Sequence, residues 1–443
     1  MKVTAAGIIL AGSWTTVFAT DNDANLLQRP AWLTEASLGV KESYDNNVFL
    51  AGASTPFVYT VPPGSVAALK DHASWITTVS PKVDFNFAPL LGDQKNLQIL
   101  SLAYAPEFAI YHDQDSESYK AHKFSAAVKG GADWFTVSAD NTLTYVDGNQ
   151  FGPVFPGSLL SAFATVADRE RREQFVDKGN VALQFSRGAW FVRPVMALYY
   201  QDMLTAKLEV PGYQNYTDRS DVNGGADLGY HITESLAVTA GYRYGHQQEE
   251  QFGFTPYSSP NDYQRVLFGI EGKPWTWLDV KLQAGPDFRS YEGNYSGHIT
   301  PVNDRNPVKY YDDVLIAAKL TAADTLSFKC KHWQWLSTLG KIPYFDSAYE
   351  LNYHRKLTSK LGFDLGGHIW NWDYTSSGNL SNCRRNDTEY TASAGVAYAV
   401  NPHLSLNAAF TVDLGRNAQN RIEHPETREF DHQLVSLGAV CKF

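Results

Sequence analysis

Cysteine and methionine are scarce in this chain, three of each among 443 residues, and charged residues make up only 19% of it. Cys330, Cys383 and Cys441 lie far apart, so they form neither a disulfide framework nor a metal-ligand spacing. Cys330 and Cys441 fall at apolar strand positions, where a thiol behaves as a small hydrophobe. Basic residues are outnumbered by acidic ones, 37 against 47, for a net charge of −10. That balance excludes nucleic acid as a partner, because phosphate recognition needs a basic face. A phosphate-cradling GxxxxGK(S/T) loop, a dinucleotide fingerprint and a clustered Cys/His set are all missing, so neither a cofactor nor a metal is expected. Linkers and low-complexity tracts are missing as well, and an amphipathic helical pattern occurs in one loop alone. These absences point to one large domain rather than several small ones.

The first residues read as a signal peptide. Lys2 gives a short positive start, TAAGIILAGSWTTVFA supplies an uncharged stretch, and Val17 and Ala19 are the small residues a signal peptidase needs. Ser13, Thr15 and Thr16 interrupt the segment, which is shorter than the roughly 20 apolar residues of a membrane helix. Residues 1–19 are thus expected to be cleaved, with 20–33 a periplasmic segment and 34–443 the folded domain. No Cys follows the cleavage site, so lipid attachment is not indicated. Beyond residue 19 no run is long and apolar enough to cross a membrane as a helix.

What is abundant is aromatic: 25 Tyr, 24 Phe and 11 Trp. Strand-length segments alternate with period 2. In HLSLNAAFTVDLG, Leu404, Leu406, Ala408, Phe410, Val412 and Leu414 share one face, and Ser405, Asn407, Thr411 and Asp413 the other. KLGFDLGGHIW, SLAVTAGYRYG and TWLDVKLQA repeat the pattern. Each apolar face suits hydrocarbon, and each polar face suits a wet lumen. Connections also take turns in length. Short ones (DQKN, GGAD, SRGA, ITES, GKPW, TAAD, LTSK, VNPH) alternate with longer polar ones, as the short periplasmic turns and long extracellular loops of a transmembrane barrel do. Counting on that rule gives strands at 34–45, 73–87, 97–110, 120–129, 133–146, 178–186, 189–201, 223–231 and 235–246. The second half adds 263–272, 276–289, 309–320, 324–335, 347–356, 359–372, 388–400, 403–414 and 429–443. The fold class is therefore all-β, an up-and-down antiparallel transmembrane β-barrel of about 18 strands (16–18). An even number returns both termini to the periplasmic side.

Two resemblances join this reading. LVSLGAVCKF places Val435, Leu437, Ala439, Cys441 and Phe443 on one face and stops on an aromatic. It resembles the C-terminal strand signature of bacterial outer-membrane proteins, which implies that Phe443 is an insertion signal read by the barrel insertion machinery. ASLGVKESYDNNVFL, with Tyr44, Asp45, Asn46, Asn47 and Val48, resembles the opening strand of the β-barrel porins found widely among Gram-negative bacteria. The architecture of that family implies residence in the bacterial outer membrane, among lipid and lipopolysaccharide, and passive diffusion of small hydrophilic solutes through a monomer or homo-oligomer.

Candidate chemistry is then placed by strand parity. Inward-facing positions include Arg193, Arg243, Arg265, Lys281, Lys319, Lys329 and Lys331, against Glu271, Asp279, Glu350, Asp364 and Asp413. Seven cations against five anions do not choose a charge preference. Tyr199, Trp277 and Trp370 on polar faces offer a sugar-stacking path, with an aromatic girdle as the alternative. The segment 147–177 holds two prolines, a short helical pattern and the cluster Arg169, Arg171 and Arg172. It reads equally as a lumen-constricting loop, which resemblance to general porins suggests, and as an extracellular cap. His112 with Asp113 and Asp115 is the nearest approach to a catalytic or cation-binding group, but it lacks the central Gly and terminal Glu of a calcium loop. No enzyme activity is expected. The leading reading is a porin-like channel; a plugged structural or adhesion barrel and a barrel hydrolase are the alternatives.

Overall fold

The computed structural model describes residues 30–48, 73–92, 96–148, 173–204, 217–251, 257–258, 260–291, 308–336, 343–373, 386–417 and 430–443. The leader, Cys383, and most of the 147–177 segment with Arg169, Arg171 and Arg172 lie outside the described residues.

Eighteen antiparallel strands close on themselves. In chain order they are β1 Leu33–Asp45, β2 Ser74–Asn86, β3 Leu97–Tyr104 with Glu107–Tyr111, β4 Tyr119–Ala132, β5 Phe135–Asp147 and β6 Gln174–Arg187. Next come β7 Trp190–Met203, β8 Thr217–Thr233, β9 Leu236–Gln251, β10 Asn261–Trp275, β11 Leu278–Tyr291 and β12 Val308–Lys319. The last six are β13 Asp324–Leu336, β14 Pro343–Lys356, β15 Leu361–Asp373, β16 Asn386–Asn401, β17 Leu404–Asn417 and β18 Phe430–Lys442. A two-residue piece, Tyr257–Ser258, pairs with the end of β9. The two pieces of β3 pair with β2 in a single register, Tyr104 opposite Val83 and Phe108 opposite Val79. Pro106 separates them because it has no N–H to give the ladder.

The seam lies between β1 and β18, in register from Ser37 opposite Lys442 to Asp45 opposite Leu434. Beyond its last paired residue, Phe443 donates its backbone N–H to Ala36 O at 2.9 Å. Closure is what lipid demands: an unpaired backbone group in hydrocarbon costs several kcal/mol, and a closed barrel leaves no edge strand. At the short-turn end, β6 and β7 are joined by Gly188 and Ala189 alone, with Gly188 at φ 62°, a left-handed conformation that glycine adopts without a Cβ clash. Between β2 and β3 a 3₁₀ turn, Ala88–Leu91, precedes the expected DQKN turn. Asn86 Oδ1 anchors it by accepting from the N–H groups of Ala88 and Leu100.

Period-2 alternation then assigns the two faces. Val40, Leu102, Phe124, Val192, Met196, Leu228, Phe268, Leu351, Val396 and Leu437 are exposed large hydrophobics, spread around the barrel's outer surface. Aromatic rings mark both ends of this belt. Trp190 with Tyr230 and Trp275 with Trp277 make ring contacts near the short turns; Tyr44 with Trp75 makes one near the long connections.

Candidate functional site

The inner wall is identified by contacts that skip strands, which are possible only on the concave side. Arg193 on β7 reaches Glu271 on β10, Nη1 to Oε1, at 2.6 Å. Its Nη2 also meets Asp227 Oδ2 on β8 at 3.0 Å, and Arg243 on β9 meets the other oxygen of Asp227 at 2.7 Å. Two guanidiniums and two carboxylates thus form one chain across four strands. Lys281 stands opposite Glu271 in the β10–β11 register, beside that chain.

Nearer the long-connection end lies a second network. Arg265 Nε and Arg289 Nη2 both donate to Asp287 Oδ2 at 3.0 Å. Arg289, whose side chain is fully buried, also donates to Gln247 Oε1 and Asn261 Oδ1. The Arg265 guanidinium lies between the rings of Tyr263 and Tyr311, 4.0 and 4.3 Å from their centroids. Tyr263 is held in turn by its hydroxyl, which donates to Asp221 at 2.6 Å. Two cations share Asp287 here, and the aromatic faces add cation–π contacts to both.

Beside this network the lumen is crossed. Tyr199 on β7 meets Trp335 on β13, six strands away, at 5.8 Å between ring centroids. Trp333, Trp370, Trp372, Tyr311, Leu267 and Val176 complete one buried cluster with them. Trp370 donates to Asp346 and stacks on Trp372 at 5.1 Å. Three cations sit on rings of this crossing: Lys178 over Tyr199 at 5.5 Å, Arg219 over Trp335 at 5.7 Å, and Lys331 over Trp333 at 4.9 Å.

Of the residues chosen from sequence, Arg193, Arg243, Arg265 and Glu271 belong to these two networks. Asp364 lies apart on β15, where its Oδ1 contacts His354 Nδ1 at 2.7 Å. Asp279 is at the short-turn end, half-exposed and 3.9 Å from Lys273. Tyr199 and Trp370 join the crossing, whereas Trp277 stacks on Trp275 in the outer girdle. His112 bonds Thr77 Oγ1 at 2.8 Å, and Asp113 accepts from the Trp75 N–H, so both tie strand ends together. His432 on β18 lies between Asp413 on β17 and Asp45 on β1, at 2.8 and 3.0 Å. Asp227, Arg289, Lys178, Arg219, Trp333 and Trp335 were not singled out from sequence. Extending parity along each strand would have placed them inward, but not against one another.

A closed barrel with an apolar outer belt, two aromatic girdles and a charged, hydrogen-bonded interior is an outer-membrane β-barrel. No family model and no curated protein matches the chain in sequence. Solved structures are similar in fold. The outer membrane protein opdK from Pseudomonas aeruginosa shares 10% identity over 92% of this chain and 99% of that chain, with a TM-score of 0.39. For the siderophore receptor PirA from Acinetobacter baumannii the values are 10%, 93%, 81% and 0.40, and for the FrpB iron transporter from Neisseria meningitidis 7%, 92%, 81% and 0.41.

Proposed function

We propose that this protein is a channel in the bacterial outer membrane that passes small hydrophilic solutes by diffusion, with selection at the Tyr199–Trp335 crossing. The supporting observation is an interior built from charged side chains joined in networks, with a ring contact between β7 and β13 across the lumen. A barrel of 18 strands is wide enough for an aqueous path where its loops leave room. In this reading the chain reaches the membrane through a cleaved leader, and Phe443 addresses it to the insertion machinery.

Planar-bilayer recording tests the proposal. Stable current steps are expected, and Tyr199→Ala or Trp335→Ala should enlarge them by removing the cross-lumen contact. Deleting 153–172 asks the same of the arginine-bearing segment: an equal or larger gain would move the constriction there. The Tyr199–Trp335 contact also favours a second reading, a plugged barrel that serves as a surface scaffold. That reading requires no steps from the wild type and none from either alanine variant.

A further inference from the structure

We infer that the water-filled path runs off the barrel axis, along the inner faces of β14–β18 and β1–β6, while the lobe behind β8–β12 is filled by its own side chains. This rests on the channel reading above and names the wall that solutes touch. The Tyr199–Trp335 contact is a chord from β7 to β13. It leaves five strands on one side, β8–β12, and eleven on the other.

The two arcs are built differently. On the smaller arc, side chains bridge strands that are not neighbours. Arg289 on β11 reaches Gln247 on β9, Tyr263 on β10 reaches Asp221 on β8, and Gln247 reaches the Gln334 carbonyl on β13. Side chains there lie in layers. Asp227 lies flat over Gly241, its Oδ1 2.2 Å from where a Cβ would stand, and Arg193 and Arg243 close over Asp227 in turn. Arg289 and Asp287 have side chains 0% and 1% exposed, and Thr239, Tyr263 and Gln283 are buried on the same arc. Side chains packed to interior density leave no room for water or solute.

The larger arc carries a single layer. Its inward contacts run between adjacent strands, as from Lys329 to Glu350, and from Thr391 to Asp413 and on through His432 to Asp45. Ser393, Asn407, Thr411 and Ser436 turn short polar groups inwards and are half-buried, and Lys123 and Lys129 on β4 are exposed. Beside the chord, Lys329 and Glu350 have side chains 52% and 28% exposed. These are charges that a solute meets by contact. Arg243, Arg265 and Arg289, in the packed lobe, act on it through their field alone. Hydroxyls and amides along the open arc offer hydrogen bonds that water readily replaces, which suits passage rather than capture.

Thiol labelling in bilayers tests the assignment. In a background with Cys330, Cys383 and Cys441 replaced by serine, the larger arc receives Ser393→Cys or Asn407→Cys, and the smaller Thr239→Cys or Gln283→Cys. The probe is a membrane-impermeant trimethylammonium methanethiosulfonate. S393C and N407C should lose current in discrete steps as it reacts, and T239C and Q283C should keep theirs. Steps in T239C or Q283C as deep as those in S393C, or unchanged current in both S393C and N407C, overturn the off-axis path and leave the channel standing. If the wild type passes no current, the channel reading falls, and the four variants are labelled in detergent and read by intact mass. Label on S393C and N407C with T239C and Q283C spared upholds the division into an open and a packed lobe; any other pattern overturns it. Heat-modifiable migration of each variant confirms that the barrel being measured is folded.

Discussion

Replacing His432 with leucine should loosen the barrel at its seam. The imidazole is buried and held by two carboxylates, Asp413 Oδ2 at 2.8 Å on Nδ1 and Asp45 Oδ1 at 3.0 Å on Nε2. Ionised carboxylates only accept, so both ring nitrogens donate and the ring is an imidazolium between two anions. Both acids have further duties: Asp413 accepts from Thr391 Oγ1, and Asp45 accepts from the Asn47 N–H. The group therefore ties β16, β17 and β18 to β1 across the closing pair of strands. Leucine leaves two facing carboxylates without their cation. Breaking a buried pair in this way costs about 3–5 kcal/mol, because the remaining charge stays desolvated. Replacing all three members by neutral groups of like size costs less, since no charge is stranded. The assay is the midpoint of heat-modifiable migration in detergent, repeated by tryptophan fluorescence in urea. His432→Leu should lower both midpoints clearly, and the triple variant Asp45→Asn, Asp413→Asn, His432→Leu should recover part of the loss. If H432L melted with the wild type, or the triple variant melted below it, the seam-clasp argument would fail.

Three further outcomes follow from named contacts. A Cβ at Gly245 would lie 2.2 Å from Cζ of Tyr263, whose ring is wholly buried. Gly245→Ala should thus cost about 1–3 kcal/mol by overpacking, visible as a lower urea midpoint, and an unchanged midpoint would contradict the packing described. Asp227→Asn strips the carboxylate shared by Arg193 and Arg243 and should shift the reversal potential of the channel towards anions under a salt gradient. No shift would mean that permeating ions do not sense this network. Phe443 has its side chain exposed on the outer face, so Phe443→Ala should reduce the amount of barrel assembled in the outer membrane while leaving the midpoint of the assembled fraction in place. A lowered midpoint with normal assembly would assign the residue to stability instead.

Strand positions were largely legible in the sequence because a barrel wall is a local code. Leu361, Phe363, Leu365 and Ile369 face out while Asp364 and His368 face in, and each choice is made by burial against lipid or water alone. Errors cluster where that code fades. The sequence starts β6 at 178, but the strand begins at Gln174, whose Oε1 accepts from Gln201 and whose neighbour Val176 enters the buried cluster. It starts β8 at 223, but the strand begins at Thr217 with the run TDRSDV, where no apolar alternation exists to be seen. The β8 extension carries Arg219 and Asp221, and Lys178 stands at the very start of the expected β6, which is why half of the crossing escaped notice. The meeting of Tyr199 with Trp335 was illegible for another reason. It depends on the shape of the barrel's cross-section, to which period-2 alternation is blind.

Charge counting along the wall chose no preference, and the way those charges pair explains why. Seven cations against five anions leave the preference open, because neutrality is decided pair by pair where charges are buried. Arg193 and Arg243 are matched by Asp227 and Glu271, so that part of the wall presents little net field. Arg265 and Arg289 share Asp287 and lie against Tyr263, whose hydroxyl is held by Asp221, so a second carboxylate stands in the same network. Tyr311 belongs to the cluster that contains Trp335, where Lys178 and Lys331 lie over rings and Asp313 stands opposite Lys331 in register. A solute moving through the barrel would meet these cations and acids together where Tyr199 and Trp335 touch across the lumen. Charge preference in a channel of this build would therefore turn on how these cations and acids pair at the crossing, and neither the tally of seven against five nor the net charge of −10 decides it.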